Sequence, residues 1–331
     1  MKQIYGIDLA KEKFDVCFIN QQGKTVERII NNSYSSIIKF LSSLPSEACL
    51  CAEHTGVYGE LLVFLANFMN VEICLSSGYE IKHSLGMQKG KSDKLDARRI
   101  REYGVRFSDR LSPTKIASEA MTELKELHTL RAQFVRQRKM LSCHTECKKQ
   151  RPFNSIKAND LAQEQMEHLN RCIEEIELEI FHVIKLDPEI FENYILITSI
   201  KGIGPVTTSE LIVKTENFKK IDAAKKAASF AGVCPFPNST GKMVRKSKVS
   251  KMSDKTLRSL LHLCGKSAVL YNKEFKLYFE RKKMEGKPYY LIMNNVSNKL
   301  LRIIYSIIES RISYDADYIC NDPRMVQKKV A

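Results

Sequence analysis

The sequence predicts an α/β domain, then long helices, then a mostly helical C-terminal domain, and three observations carry that prediction. Three apolar or alternating runs open the chain and lead into alternating helix-like and strand-like segments, the order of an α/β fold. Two long central stretches lack glycine and proline and repeat apolar residues at helical spacing. From Ile195 the composition shifts to small residues and glycines, followed by a lysine-rich, proline-containing loop and more helix.

Ile4 to Leu9, Phe14 to Asn20 and Lys24 to Ile30 are read as consecutive hairpin strands, separated by polar turn residues and Gly23. A helix from about Ser33 to Leu44 ends at Pro45. Ala48 to Glu53 is a buried strand, Tyr58 to Met69 a helix and Val71 to Leu75 a further strand. The basic, glycine-containing stretch from Ser76 to Lys91 reads as a loop, and Asp93 to Tyr103 as a helix. After Pro113, Ala117 to Lys149 carries Leu124, Leu127, Leu130, Phe134 and Leu141 at roughly helical spacing. Arg151-Pro152-Phe153-Asn154 interrupts it, and Leu161 to Lys185 places Met166, Leu169, Ile173, Ile176 and Ile180 three or four apart. Two such helices suggest an antiparallel coiled-coil hairpin that spaces the domains or pairs protomers, with packing into one globular core as the alternative. The expected division is residues 1–112, 113–187 and 188–318, with a tail at 319–331.

With 331 residues the chain exceeds one ordinary hydrophobic core. Its 53 basic against 38 acidic residues leave a net charge of +15, which points to a polyanionic partner or, at its blandest, a solvated basic surface. No stretch approaches the ~20 apolar residues that span a bilayer, so nucleic acid fits better than membrane. Met1 runs directly into a strand-like start without a signal core, which predicts a cytoplasmic protein. Ten cysteines are scattered, several in apolar runs (Cys17, Cys49, Cys51, Cys74, Cys264), and read as reduced and buried. Cys143, His144 and Cys147 are close on one helix, but no second ligand pair follows at zinc spacing.

Four acids stand out. Asp8 sits within the first apolar strand, where a carboxylate is costly unless something neutralises it. Glu53 ends a later strand, ahead of His54-Thr55-Gly56, and Asp93 and Asp96 lie three apart on one helix face. Oxygen ligands of this kind suit Mg²⁺, and four that converge could hold two ions on a scissile phosphate. An acid in the first strand of a meander, a second on a later strand and a pair on a following helix is the arrangement of ribonuclease-H-like nucleases, including the RuvC resolvase.

The match is narrower than that. Tyr5-Gly6-Ile7-Asp8 with Lys11, Glu53-His54-Thr55-Gly56, and Asp93-Lys94-Leu95-Asp96-Ala97 with Tyr103-Gly104 resemble the acidic motifs of DEDD insertion-sequence transposases. These are the bridge-RNA-guided recombinases, related to the Piv-type invertases. Ile200 to Thr207, Phe230 to Pro235 and Val249-Ser250-Lys251 resemble that family's C-terminal motifs in order and spacing. The resemblance spans nearly the whole chain. It implies a RuvC-like domain, a coiled coil, a C-terminal transposase domain whose serine attacks DNA, a structured guide RNA, and a homo-oligomer, dimer or tetramer.

Read residue by residue, Gly202-Ile203-Gly204 between two helices has the form of a helix-hairpin-helix turn that can bring backbone N–H groups to a phosphate, or of a simple packing turn. Cys234 to Lys242 reads as a loop that presents Ser239 and Thr240 ahead of Lys242, Arg245, Lys246, Lys248 and Lys251. An alcohol needs a base or metal to take its proton, and cations to stabilise the growing phosphoryl charge. The family's serine just before the loop glycine is Thr240 here, with Ser239 one position earlier; the less hindered primary alcohol favours Ser239. Lys94 and Arg98 place positive charge beside the Asp93/Asp96 pair. The rival readings are a RuvC-like nuclease or junction resolvase acting by hydrolysis, and a non-catalytic nucleic-acid-binding protein.

Overall fold

The computed structural model describes residues 2–86, 90, 92–148, 152–153, 155–240 and 243–315, with backbone alone for 148, 238 and 244–247. They form two compact units, divided between Ala117 and Ser118.

In the first unit, β1 (Gln3–Leu9), β2 (Lys13–Ile19) and β3 (Thr25–Asn31) form an antiparallel meander. The β2–β3 turn closes on the Asn20 side chain, which accepts from the N–H groups of Gln22 and Lys24, while Gly23 takes the left-handed conformation. Next come α1 (Tyr34–Ser42), β4 (Ala48–Glu53), α2 (Glu60–Phe68), β5 (Glu72–Ser76), α3 (Gly78–Ser84) and α4 (Asp93–Arg106). The sheet order is β3-β2-β1-β4-β5, with β4 parallel to both β1 and β5. This is a mixed α/β, ribonuclease-H-like arrangement.

Strand alternation sorts side chains onto two faces. Tyr5, Ile7, Leu9, Phe14, Val16 and Leu50 pack with Ile37, Phe40 and Leu41 of α1 and Leu62 and Leu65 of α2. The other face carries Ile4, Cys49, Cys51 and Cys74, covered by Ile81 of α3 and by Ile100 and Tyr103 of α4. The stretch from Ser76 to Lys91, read from sequence as a loop, contains α3. Its single buried apolar anchor, Ile81, leaves no apolar period to recognise.

In the second unit, α5 (Glu119–Lys148) and α6 (Ile156–Leu186) lie side by side. Arg131 pairs with Glu177, and Arg138 donates to Asn170, so the two helices run antiparallel. Leu169, Ile173, Ile176, Ile180, Val183 and Ile184 bury one stripe of α6, whereas Met140 and Leu161 are exposed. Asp187 caps α7 (Pro188–Thr198) by accepting from Glu189 and Ile190, and Pro188 occupies the first turn. Then follow α8 (Pro205–Thr215), α9 (Ala224–Phe230), β6 (Pro235–Thr240), β7 (Met243–Val249), α10 (Lys255–Tyr271), α11 (Lys273–Met284) and α12 (Tyr289–Ser310). Leu257, Leu261, Val296, Leu300 and Ile304 form the centre of its core.

One expectation is corrected here: Cys234 to Lys242 is no plain loop, because β6 and β7 pair as an antiparallel hairpin inside the otherwise helical unit. The prolines concealed it. Pro237 falls at the register shift between Phe236 and Asn238, where a missing N–H does not break the ladder. Among the described residues no helix is long and apolar enough to cross a membrane.

Candidate active site

The C-terminal ends of β1 and β4 meet the N-terminal turn of α4. Asp8 lies on the face that α4 covers, directly opposite Asp15 across the β1–β2 pairing. The β1–β4 register runs to Ile7 and Ala52, so the next residues along, Asp8 and Glu53, are neighbours. Asp93 and Asp96 occupy the first turn of α4, whose N-cap Ser92 accepts from the Leu95 N–H.

Two glycines bring this helix onto the sheet. A Cβ on Gly6 would stand 2.3 Å from both the Ala97 carbonyl oxygen and the Arg101 nitrogen. One on Gly104 would stand 2.8 Å from Ile4. Backbone packs on backbone at Gly6 and on the Ile4 and Cys51 side chains at Gly104, and the acidic first turn is drawn toward Asp8 as a result. Glu53 is seated similarly: a Cβ on Gly78, the first residue of α3, would collide with its carboxylate at 2.1 Å.

The electrostatic outcome is a crowded anionic site. Burial, followed by the like charges of Asp96, Asp93, Glu53 and Asp15, pushes the Asp8 carboxyl up to about 6. Burial also raises Asp15, with Lys13 working against it and Asp93 adding to it. Asp15 was missed from sequence: it reads as an isolated acid in a strand until the register places it across from Asp8. Counter-charges lie close by. Arg99 pairs with Asp96 at 2.8 Å and donates to the Gly90 carbonyl, and Arg98 pairs with Glu27 at 2.5 Å. Arg98, expected to face nucleic acid, is thus held by Glu27 on β3, while Lys94 is exposed.

The donor set fits a hard divalent cation: it is all oxygen, mutually repulsive, and partly buried at Asp8, Glu53 and Asp96 with Asp93 exposed. Among the described residues no three of Asp8, Glu53, Asp93 and Asp96 bring ligand atoms within 4.8 Å of one another.

The other expected residues belong to the second unit. Ser239 and Thr240 are exposed at the end of β6, and strand alternation sends their hydroxyls to opposite faces of the hairpin. Lys248 is exposed near the end of β7, and Lys251 is exposed just beyond it. Lys242 and the side chains of Arg245 and Lys246 lie outside the described residues. Gly202 adopts φ +108°, and a Cβ there would stand 2.8 Å from the Ala268 nitrogen of α10, so its freedom serves a close packing contact. Gly204, the N-cap of α8, is exposed, with open space where a Cβ would be.

A transposase family model matches residues 5–147, which hold all four acids, and a second, described as Transposase IS116/IS110/IS902 family, matches residues 194–280, which hold the glycine turn and the hydroxyl hairpin. The chain belongs to the IS110 family of transposases. It is also similar to pilin gene-inverting proteins over 95% of its length and 98% of theirs, at 27% identity in Moraxella lacunata and 26% in Moraxella bovis. As an IS110-family transposase it is a DNA-recombining enzyme, and DNA is its substrate. Transposases of this DEDD type typically use a divalent metal, in keeping with the oxygen-only donor set around Asp8.

Proposed function

We propose that this transposase moves an insertion sequence by Mg²⁺-dependent strand cleavage and rejoining through a covalent hydroxyl–DNA intermediate, guided by a structured RNA. The observation that supports it most is the gathering of Asp96, Asp93, Glu53 and Asp15 around the partly buried Asp8. Asp8, Glu53, Asp93 and Asp96 would hold one or two Mg²⁺ ions. When bound, such an ion polarises the scissile phosphate and favours loss of the nucleophile's proton.

The chain's own groups do the rest. The hydroxyl oxygen of Ser239, or of Thr240 as the alternative, attacks phosphorus. A new O–P bond forms, the bond from phosphorus to a deoxyribose oxygen breaks, and that oxygen leaves as a hydroxyl after taking a proton. Attack by a deoxyribose hydroxyl of the exchanged strand then expels the side-chain oxygen and rejoins the DNA. The side-chain proton would pass to water at the site or to a carboxylate that the ion does not engage. Lys248 and Lys251, with Lys242, Arg245 and Lys246, would neutralise phosphate beside the hydroxyls. Lys94, Arg98 and the Gly202–Gly204 turn would track the backbone without reading sequence; base pairing to the RNA would choose the site. Residues 1–112 would be the RuvC-like catalytic domain, 113–187 a coiled coil and 188–318 the transposase domain. The protein would act as a cytoplasmic dimer or tetramer, with acids and hydroxyl drawn from one copy or from two.

A suicide substrate nicked beside the scissile phosphate tests the chemistry. A protein–DNA adduct that survives denaturation, is lost in Ser239→Ala and persists in Thr240→Ala supports the reading; the reverse pattern moves the nucleophile to Thr240. Cut ends without any adduct would establish hydrolysis, as in a junction resolvase. Unchanged DNA transactions in Asp8→Ala would leave a binding protein only.

A further inference from the structure

The starts of β4 and β5, at the opposite end of these strands from Glu53, hold a second group of ligating side chains. Parallel pairing sets Cys49 beside Glu72 and Cys51 beside Cys74. Cys49 and Cys74 are each 1% exposed, and both face the α4 side of the sheet. The Glu72 carboxylate reaches between them: its Oε1 lies 3.7 Å from the Cys49 Sγ and 4.0 Å from the Cys74 Sγ. All three ligand atoms fall within 4.8 Å of one another, the one such group among the described residues. Glu53 lies four positions along the strand from Cys49, which at strand rise is roughly 13 Å, so this group is distinct from the Asp8 site.

We infer that Cys49, Glu72 and Cys74 form a binding site for a thiolate-preferring divalent cation of the Zn²⁺ class, completed by a solvent ligand on the Glu72 side. Metal–sulfur bonds of about 2.3 Å and metal–oxygen bonds of about 2.1 Å at a tetrahedral angle give edges of ~3.8 Å between sulfurs and ~3.6 Å from sulfur to oxygen. The two measured sulfur–oxygen separations sit close to that second edge, so an ion could enter with adjustments of a few tenths of an ångström. Two sulfurs discriminate against Mg²⁺, which the all-oxygen site around Asp8 prefers. Glu72 is the least buried member, its side chain 26% exposed, and gives the route in from solvent. Lys2 grips both of its oxygens, at 2.7 and 2.6 Å, so an incoming ion takes Oε1 from the ammonium and leaves it Oε2. Binding releases the thiol protons to solvent and ties β4 to β5 at the edge of the sheet. Metal capture here is independent of the transposition chemistry proposed above.

The test uses the full-length chain, reduced, tag-free and stripped of metal, titrated with Co²⁺ and then Zn²⁺ in the presence of excess Mg²⁺. The expected result is one equivalent bound at this site with a thiolate-to-cobalt charge-transfer band that Mg²⁺ does not displace. Glu72→Gln should weaken affinity tenfold or more, and Cys74→Ala should abolish the band. Cys143→Ser/Cys147→Ser, which alters exposed thiols on α5, should leave the band unchanged. Because Cys74→Ala opens the core, zinc anomalous scattering from crystals of the unaltered chain gives a second measurement, with a peak expected between Cys49, Glu72 and Cys74. No band, a band lost with Cys143 and Cys147, an affinity indifferent to Glu72→Gln, or an anomalous peak elsewhere would each overturn the assignment. In the first of these cases the three residues are no more than a packed thiol–carboxylate contact.

Discussion

Replacing Asp8 with asparagine should stabilise the first unit while it disables the enzyme. The folded Asp8 carboxyl titrates at about 6 against 3.8 for the free group. The folded chain therefore holds the proton more tightly than the unfolded chain does. Below 3.8 both states are protonated and nothing is lost; between 3.8 and about 6 the unfolded chain ionises first and the penalty on folding grows, and above about 6 it stays at its full value. A shift of this size corresponds to about 3 kcal/mol before screening, and partial exposure of Asp8 reduces it to about 1–2 kcal/mol. An asparagine amide cannot ionise and escapes the penalty. The measurement is hydrogen-exchange protection of β1 and β4 amides in chelator, corrected for intrinsic rates. At pH 8 protection in Asp8→Asn should rise roughly 5- to 30-fold, and at pH 5 about half of that free-energy gain should remain. Mg²⁺ should then raise protection in the unaltered chain and not in the variant. Equal or lower protection at pH 8, or a gain independent of pH, would refute the view that burial and like-charge crowding together penalise the ionised Asp8.

Three further outcomes follow from packing and charge. Gly6→Ala should lift α4 from β1, since its Cβ would meet backbone at 2.3 Å, with a loss of about 1–3 kcal/mol in thermal stability and a matching loss of DNA cleavage. Gly202→Ala should destabilise the second unit by a similar ~1–3 kcal/mol, because φ +108° and the Ala268 backbone both oppose a side chain, whereas Gly204→Ala should stay within about 1 kcal/mol; calorimetry of the two variants separates a packing glycine from an open N-cap. Lys248→Ala/Lys251→Ala should lower DNA affinity evenly across sequences and reduce the slope of log affinity against log salt by up to about 2, as read by titrations at several salt concentrations.

The first unit was legible because its signals are local. Short apolar runs mark β1, β2 and β4, and an acid within or at the end of such a run is visible without knowing which strands pair. What the sequence withheld is whatever depends on register or on a single anchor. Helix α3 rests on Ile81 alone, and β6–β7 hides behind Pro235 and Pro237. Asp15 becomes part of the site only once residue 8 is known to face residue 15. Cys49, Glu72 and Cys74 are far apart in the chain and ordinary one by one; only the parallel pairing of β4 with β5 gathers them.

The alternation of side chains along β1, β4 and β5 explains how one sheet face carries both proposed sites. On that face α4 leans on a strand surface that lacks a Cβ at Gly6 and is thiol-lined at Cys49, Cys51 and Cys74, so the helix can come close without the bulk the opposite face buries. Close approach delivers the helix N-terminus, whose dipole favours the negative charge of Asp93 and Asp96 and so offsets part of the repulsion that adds to burial in lifting Asp8. The offset is incomplete, because a helix end is worth about 0.3–1 kcal/mol per charge and Asp8 alone carries more than that. Residual strain of this kind is relieved by a positive ion and not by a rearranged backbone, since the two glycine contacts leave α4 no room to retreat toward the sheet and the Tyr103 and Ile100 burial holds it from leaving. Above the pH at which Asp8 holds its proton, a site that relaxes by capturing a cation is one whose stability and whose ability to act on phosphate should rise together as that cation is added.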